Sequence, residues 1–224
     1  GVQQSLLTER PFRSPHHSIS ATALIGGGSN PQPGEITLAH HGVLFLDELP
    51  EFSKHALEVM RQPLEDRIVN ISRARYALEF PANFMLIASM NPCPCGYYNH
   101  PTKDCTCGPE VVQRYLNKIS GPLLDRIDLH IEILPIQFEE MRKHSMHESS
   151  HNIFERVVRA RHIQENRFAQ FPHISTNAMM DGAMTRQLCA LDAQSESRLK
   201  AAMNQLSLSA RAYDRIIKVA RTIA

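Results

Sequence analysis

Two short apolar runs that end on polar residues constrain this chain more than any other feature. Val43-Leu44-Phe45-Leu46 follows Gly42 and runs straight into Asp47-Glu48, and Phe84-Met85-Leu86-Ile87-Ala88 runs into Ser89-Met90-Asn91-Pro92. A short apolar run without polar alternation reads as a strand buried on both faces, the habit of parallel sheets. Parallel neighbours need crossover connections. The intervening sequence can supply one: Ser53 as a helix cap, then Ala56, Leu57, Val59, Met60 and Leu64 at helical spacing. Residues 127–134, closed by Pro135, read as a third strand candidate.

The rest of the chain divides around this frame. Residues 1–35 are punctuated by Pro11, Pro15, the Gly26-Gly27-Gly28 run, Pro31, Pro33 and Gly34, so they read as loop with a helical piece near residues 18–24. Residues 68–72 and 76–80 flank Arg73-Ala74-Arg75 and read as two short strands with a basic tip. A helix is expected over residues 109–120. From residue 138 the pattern is helical. Ile153, Phe154, Val157 and Val158 form one stripe; Leu199, Ala202, Met203 and Leu206 form a second. A last helix follows Ser209, with Tyr213, Ile216, Ile217, Ala220 and Ile223 in register. The predicted architecture is an α/β part over 1–136 and an all-helical part over 137–224. The missing initiator Met and the last helix running to the final residue lead us to expect a piece of something longer.

Charge and cysteines narrow the setting. With 24 Lys+Arg against 23 Asp+Glu the net charge is +1, so any polyanion-binding surface must be local. No apolar run reaches the roughly 18–20 residues of a membrane span, and no charged-then-apolar leader opens the chain. Four of the five cysteines, Cys93, Cys95, Cys105 and Cys107, sit close together. That clustering fits a reducing cytoplasm and a local metal site better than a scattered disulfide framework.

Several groups can carry chemistry. Asp47 and Glu48 lie at the carboxyl end of a buried strand, the edge where open parallel sheets bind ligands. One carboxylate there can hold Mg²⁺ and its neighbour can orient or deprotonate a water in phosphoryl transfer. Alone, the pair is equally a strand end with two solvated acids. Asn91 can hold a water without adding charge, or be an ordinary loop amide before Pro92. Arg126, between Asp125 and Asp128, is either a structural ion pair or a guanidinium that reaches a neighbouring subunit's nucleotide. Cys93-x-Cys95 and Cys105-x-Cys107 can give four thiolates to one tetrahedral Zn²⁺, with His100 as a substitute ligand. They can also be reduced thiols in a Pro/Gly-rich loop. Cys189 reads as core. His16-His17 and His40-His41 read as packing or polar-contact residues, because adjacent side chains on a regular element point apart. Arg156, Arg159, Arg161 and Arg167 are interleaved with Glu155 and Glu165 and read as a solvated face.

Together these segments resemble the AAA+ ATPases, and within them the magnesium-chelatase-like branch that includes competence-type proteins. Gly42-Val43-Leu44-Phe45-Leu46-Asp47-Glu48 is similar to the Walker B strand, Ser89-Met90-Asn91-Pro92 to sensor 1, Leu124-Asp125-Arg126-Ile127-Asp128 to the arginine-finger segment and Ser209-Ala210-Arg211-Ala212 to sensor 2. Arg10-Pro11-Phe12-Arg13-Ser14-Pro15-His16-His17, Ala23-Leu24-Ile25-Gly26-Gly27-Gly28 and Arg61-Gln62-Pro63-Leu64-Glu65-Asp66 extend the match. The resemblance implies a partial AAA+ core, a parallel sheet with flanking helices and a β-hairpin insert, followed by a helical lid. It implies ATP with Mg²⁺ on Asp47, Glu48 and Asn91 as catalytic groups, Arg126 acting on the adjacent subunit's nucleotide, and Arg211 at the γ-phosphate. It implies a homo-oligomeric ring, a hexamer, in the cytoplasm. Arg73 and Arg75 would occupy the pre-sensor-1 hairpin and residues 23–34 the helix-2 insert, both facing a central pore where guanidiniums suit phosphates of a translocating nucleic acid. A solvated turn is the plainer reading of that tip.

One departure bears on activity. The phosphate-binding loop G-x-x-x-x-G-K-[ST] is nowhere in the chain, and the resemblance places it upstream of Gly1. Without that cradle the β- and γ-phosphates lose their main holder. The polypeptide alone is therefore expected to bind ATP poorly and not to hydrolyse it. The expected function is one part of a motor coupling ATP hydrolysis to DNA remodelling or branch migration. A chelatase-type subunit that remodels a protein partner for metal insertion and a non-catalytic zinc-stabilised binding module are the alternatives.

Overall fold

The structure, a computed structural model, describes residues 9–73, 76–133 and 148–224. The chain divides into two units, Gly1–Ile127 and Asp128–Ala224.

The first unit is built on a three-stranded parallel sheet in the order β1–β4–β7, with β1 at Phe12–Arg13, β4 at Val43–Leu46 and β7 at Met85–Ala88. The register pairs Phe12 with Val43 and Val43 with Met85. Between β1 and β4 lie α1 (Ala21–Ile25), a small antiparallel pair of β2 (Gly26–Gly27) and β3 (Gln32–Pro33), and α2 (Glu35–Leu38). Between β4 and β7 come a 3₁₀ turn at Leu49–Glu51, α3 (Lys54–Val59), α4 (Arg61–Asp66) and the antiparallel pair β5 (Ile68–Arg73) and β6 (Tyr76–Pro81). After β7 follow a long connection, α5 (Pro109–Leu116) and α6 (Gly121–Leu124).

Leu44 and Leu46 are fully buried and pack with Leu24, Ile36, Leu57 and Met60 from the crossover helices. Each such leucine contributes about 1.5–3 kcal/mol of transfer free energy, so this face holds the unit together. The expectation that both runs are buried on both faces needs correction. Phe12, Met85 and Ile87 are 63%, 57% and 44% exposed, and Val43 and Phe45 are half-buried. The helices between the strands pack on the Leu44/Leu46 face, and among the described residues nothing closes the other.

Two glycine sites are dictated by backbone geometry. Gly26, Gly27 and Gly28 have φ of 106°, 135° and 101°, values that side chains resist, and they carry the chain from the end of α1 through β2. A methyl on Gly42 would press onto the Pro11 carbonyl oxygen, which accepts the Val43 N–H at 2.8 Å. Gly42 thus lets β1 and β4 pair immediately before the acidic pair. Arg13 reaches from β1 to both Glu35 oxygens at the start of α2, at 2.6 and 2.7 Å.

The third expected strand is not formed. Residues 128–133 have no ladder partner among the described residues, and Leu129, Ile131 and Ile133 are exposed. Alternation specifies which residues share a face, but only a paired neighbour makes a strand.

The second unit is helical: α7 (Ser150–Arg167), a 3₁₀ turn at Asn177–Met179, α8 (Gly182–Leu188), α9 (Ala193–Gln205) and α10 (Ala210–Ile223). Every one of these α-helices starts on a side-chain cap, Ser149, Asp181, Asp192 or Ser209, which accepts a backbone N–H of the first turn. The core is Phe168, Met180, Cys189 and Ile217. The expected α7 stripe is not part of it. Ile153, Phe154 and Val157 are exposed, because the core touches only the carboxyl end of α7, where Gln164 is buried.

Candidate functional site

The carboxyl edge of the sheet carries three of the polar residues singled out in the sequence, Asp47, Glu48 and Asn91. Asp47 and Glu48 follow β4 directly, and both are exposed. Asp47 Oδ1 accepts the Glu48 N–H at 3.0 Å and the Ser89 hydroxyl. Both bonds fall on one oxygen, so Oδ2 is the oxygen that remains to meet a cation. Mg²⁺ is commonly held through one or two carboxylates with water completing its shell, and this donor set fits that habit.

Glu48 has φ 52° and ψ 48°, the left-handed region that a non-glycine residue adopts at a cost of about 1–3 kcal/mol. Its Oε2 lies 3.2 Å from His17 Nδ1. Two backbone bonds lace the edge together: Ser89 N–H to the Leu46 carbonyl at 3.0 Å and Leu49 N–H to the Ser89 carbonyl at 2.9 Å. Asn91, exposed, lies two residues beyond Ser89.

Tyr115 of α5 marks where these segments converge. Burial first, then the charges of Glu51, Cys93 and Glu48, push its phenol up, while the Asn91 backbone N–H hydrogen-bonds to it. His17 was read only as a packing or polar-contact residue, which its approach to Glu48 bears out, and Ser89 and Tyr115 had no role assigned from sequence. The first two lie inside the Arg10-to-His17 and Ser89-to-Pro92 segments, which were visible as motifs. Tyr115 had no signal beyond its place on a helix.

The cysteines lie next to this edge. Cys93, Cys95, Cys105 and Cys107 have Sγ atoms all within 4.8 Å of one another. His100 is not in the group; its Nδ1 accepts the Thr102 and Lys103 N–H groups at 3.2 and 3.1 Å. The thiols influence one another. The Tyr97 backbone is the main cause that draws Cys95 down to about 5. Cys105 moves the other way, to about 12: the Cys107 backbone pulls it down, but burial and the neighbouring thiols together outweigh that. Cys189 is buried at the end of α8, away from the cluster in sequence and in unit.

The histidine pairs depart from expectation. His16–His17 and His40–His41 place their ring centroids 4.0 and 3.9 Å apart instead of pointing away from each other. Both pairs sit in turns, with His41 at φ 59°, so the alternation of a regular element does not apply.

Arg126 lies elsewhere. Its guanidinium donates to the Pro122 carbonyl at 2.6 Å and pairs with Glu65, not with the adjacent Asp125 or Asp128. It borders a cleft with Glu58, Arg61, Gln62 and Glu65, and Asp47, Glu48 and Asn91 are not among the lining residues. In the hairpin the register pairs Arg73 with Tyr76, so residues 74–75 connect the strands. Arg75 and the side chain of Arg73 lie outside the described residues. Arg211 is exposed in the first turn of α10, after the Ser209 cap, in the second unit.

A parallel sheet with an acidic pair at the carboxyl end of its central strand, joined to a separate helical unit, defines a partial AAA+ core with a helical domain. The chain belongs to the magnesium chelatase subunit ChlI family: the family model matches residues 1–141, and that of the ChlI C-terminal domain matches 147–224. It is 47% identical over 217 residues to YifB of Escherichia coli (strain K12), covering 96% of this chain. It is also 47% identical over 218 residues to the competence protein ComM of Haemophilus influenzae, again over 96% of this chain, and 39% identical to Mb2921c of Mycobacterium bovis over 98%. The chain spans 42%, 41% and 43% of the lengths of these relatives. No helix of the described residues is long and apolar enough to cross a membrane.

Proposed function

We propose that this chain is the Walker B, sensor and lid portion of an AAA+ ATPase that works on DNA as a homo-oligomeric ring, a hexamer. The observation that carries the reading is Glu48, held in a left-handed backbone beside Asp47 at the edge of the central strand with its carboxylate against His17. Strained backbone of this kind persists where the surroundings over-determine it, and it clusters at functional sites.

In this reading ATP is the substrate. Asp47 holds Mg²⁺ through Oδ2, and Mg²⁺ when bound neutralises charge that develops on the phosphates. Glu48 accepts a proton from the attacking water, and the Asn91 amide orients that water. Arg211 meets the γ-phosphate. Arg126 serves the nucleotide of the next subunit, which is consistent with its place in a cleft that Asp47, Glu48 and Asn91 do not line. To do so its guanidinium, now 13% exposed, leaves Glu65, a half-exposed partner. The phosphate cradle comes from residues of the same protein outside these 224, since G-x-x-x-x-G-K-[ST] is absent here.

DNA is the client that the competence-type resemblance implies, and Arg73 and Arg75 at the hairpin end are the residues to contact it. The test is salt-dependent DNA binding and DNA-stimulated ATP turnover by the complete protein. Arg73→Ala/Arg75→Ala is expected to weaken binding and flatten its salt slope by about 2. Turnover indifferent to DNA and to these arginines would favour a protein client instead.

A further inference from the structure

We infer that Cys93, Cys95, Cys105 and Cys107 form a closed four-thiolate site for one zinc ion, which fastens the connection that carries Asn91 to the start of α5. The Sγ atoms of Cys93, Cys95 and Cys105 are 3.3, 3.7 and 3.6 Å apart, and Cys107 is within 4.8 Å of them all. A tetrahedron with Zn–S bonds of about 2.3 Å has edges of about 3.8 Å. Three of the sulfurs thus already stand near the spacing of such a site, and the fourth, that of Cys107, is within 4.8 Å of them.

The connection itself needs a fastening. From Ala88 to Pro109 there is no helix or strand, which leaves 108 − 88 = 20 residues of loop. Loops of that length in a compact unit are held by something of their own or serve a function. Here apolar burial supplies little: within residues 93–107 Cys93 is the one fully buried side chain, and Tyr97 and Tyr98 are exposed. The thiols lie near both ends of the loop, Cys93 two residues after Asn91 and Cys107 two residues before Pro109, so one ion closes nearly the whole span. One group suited to an anionic tetrathiolate is in place: the Tyr98 N–H donates to Cys93 Sγ at 3.3 Å. Contacts of this kind orient ligands and offset their charge. A set of four thiolates with no open position is the pattern of structural zinc, which contributes folding free energy rather than chemistry.

Asn91 and Tyr115 lie on either side of the staple. The zinc assignment stands on the cysteines alone; its consequence for turnover rests on the ATPase reading. Zinc content of the purified protein is the deciding measurement, because it is read without ATP. One zinc per chain is expected beyond that found in Cys105→Ser/Cys107→Ser, with Cys189→Ser equal to wild type. Equal zinc in wild type and the double variant, or iron in that stoichiometry, overturns the site. Should the double variant fold poorly, alkylation of the native protein mapped by mass spectrometry decides. The four thiols are expected to stay protected until a chelator removes the metal, and free alkylation before chelation overturns the proposal.

Discussion

Replacing Asn177 by alanine removes the polar tie that joins three elements of the helical unit. Asn177 is 1% exposed. Its Oδ1 accepts the Arg167 guanidinium at 2.6 Å, its Nδ2 donates to Thr222 Oγ1 at 3.0 Å, and its backbone N–H donates to Gln164 Oε1 at 2.7 Å. Alanine keeps the backbone bond and loses the other two. A hydrogen bond to a charged group is worth about 1.5–3 kcal/mol and a neutral one about 0.5–1.5. Arg167 is half-buried, so the lower part of the first range applies, and the two together come to about 2–3 kcal/mol. Burial, then the charge of Arg221, hold the Arg167 guanidinium below its usual range, so this cation depends on the acceptor that Asn177 supplies. For a unit of this size the loss lowers the melting temperature by about 10 °C or more. The assay is hydrogen exchange of peptides from α10 and α7, followed through urea with the urea slope m checked for constancy. Asn177→Asp keeps an acceptor for Arg167 and is expected to lose less than Asn177→Ala. An alanine variant within about 0.5 kcal/mol of wild type would show that the network holds nothing the packing does not.

Two further predictions concern the sheet unit. Asn83 N–H donates to His40 Nδ1 at 3.0 Å, and burial first, then His41, hold that imidazole below the usual histidine range. The folded state therefore binds this proton less readily than the unfolded one. Its stability is full above about pH 6.5 and falls as pH drops through the folded value. Denaturation of His40→Gln over that range should show a flatter acid limb than wild type, and identical limbs would refute the assignment. Gly42→Ala forces a methyl onto the Pro11 carbonyl oxygen and should destabilise the sheet unit by about 1–3 kcal/mol in urea; an unchanged midpoint would contradict the close approach.

Much of the frame was legible because local chemistry and tertiary packing agree. Val43–Leu46 and Met85–Ala88 are strands of one parallel sheet, and Ser53 and Ser209 cap the helices that follow them. What failed depends on partners that a sequence window does not contain. An apolar run looks the same whether one face or two are covered, so the exposure of Met85 and Ile87 was invisible. Leu129, Ile131 and Ile133 alternate like a strand, yet alternation names no neighbour. The Ile153–Phe154–Val157 stripe is helical, but helicity does not say what lies against it. At the site, the positions of Asp47 and Glu48 follow from the run before them. The approach of His17 to Glu48 spans a crossover and appears only when β1 is laid beside β4, and the Arg126–Glu65 pair likewise joins residues far apart in sequence.

The most direct test of the account is ATP turnover by the complete protein with Glu48 replaced by glutamine, a change that keeps shape and removes the proton acceptor. Turnover should fall by about 10²–10⁴-fold while bound ATP is retained. A Glu48→Gln protein hydrolysing ATP at the wild-type rate would contradict the role assigned to the carboxyl edge of this sheet.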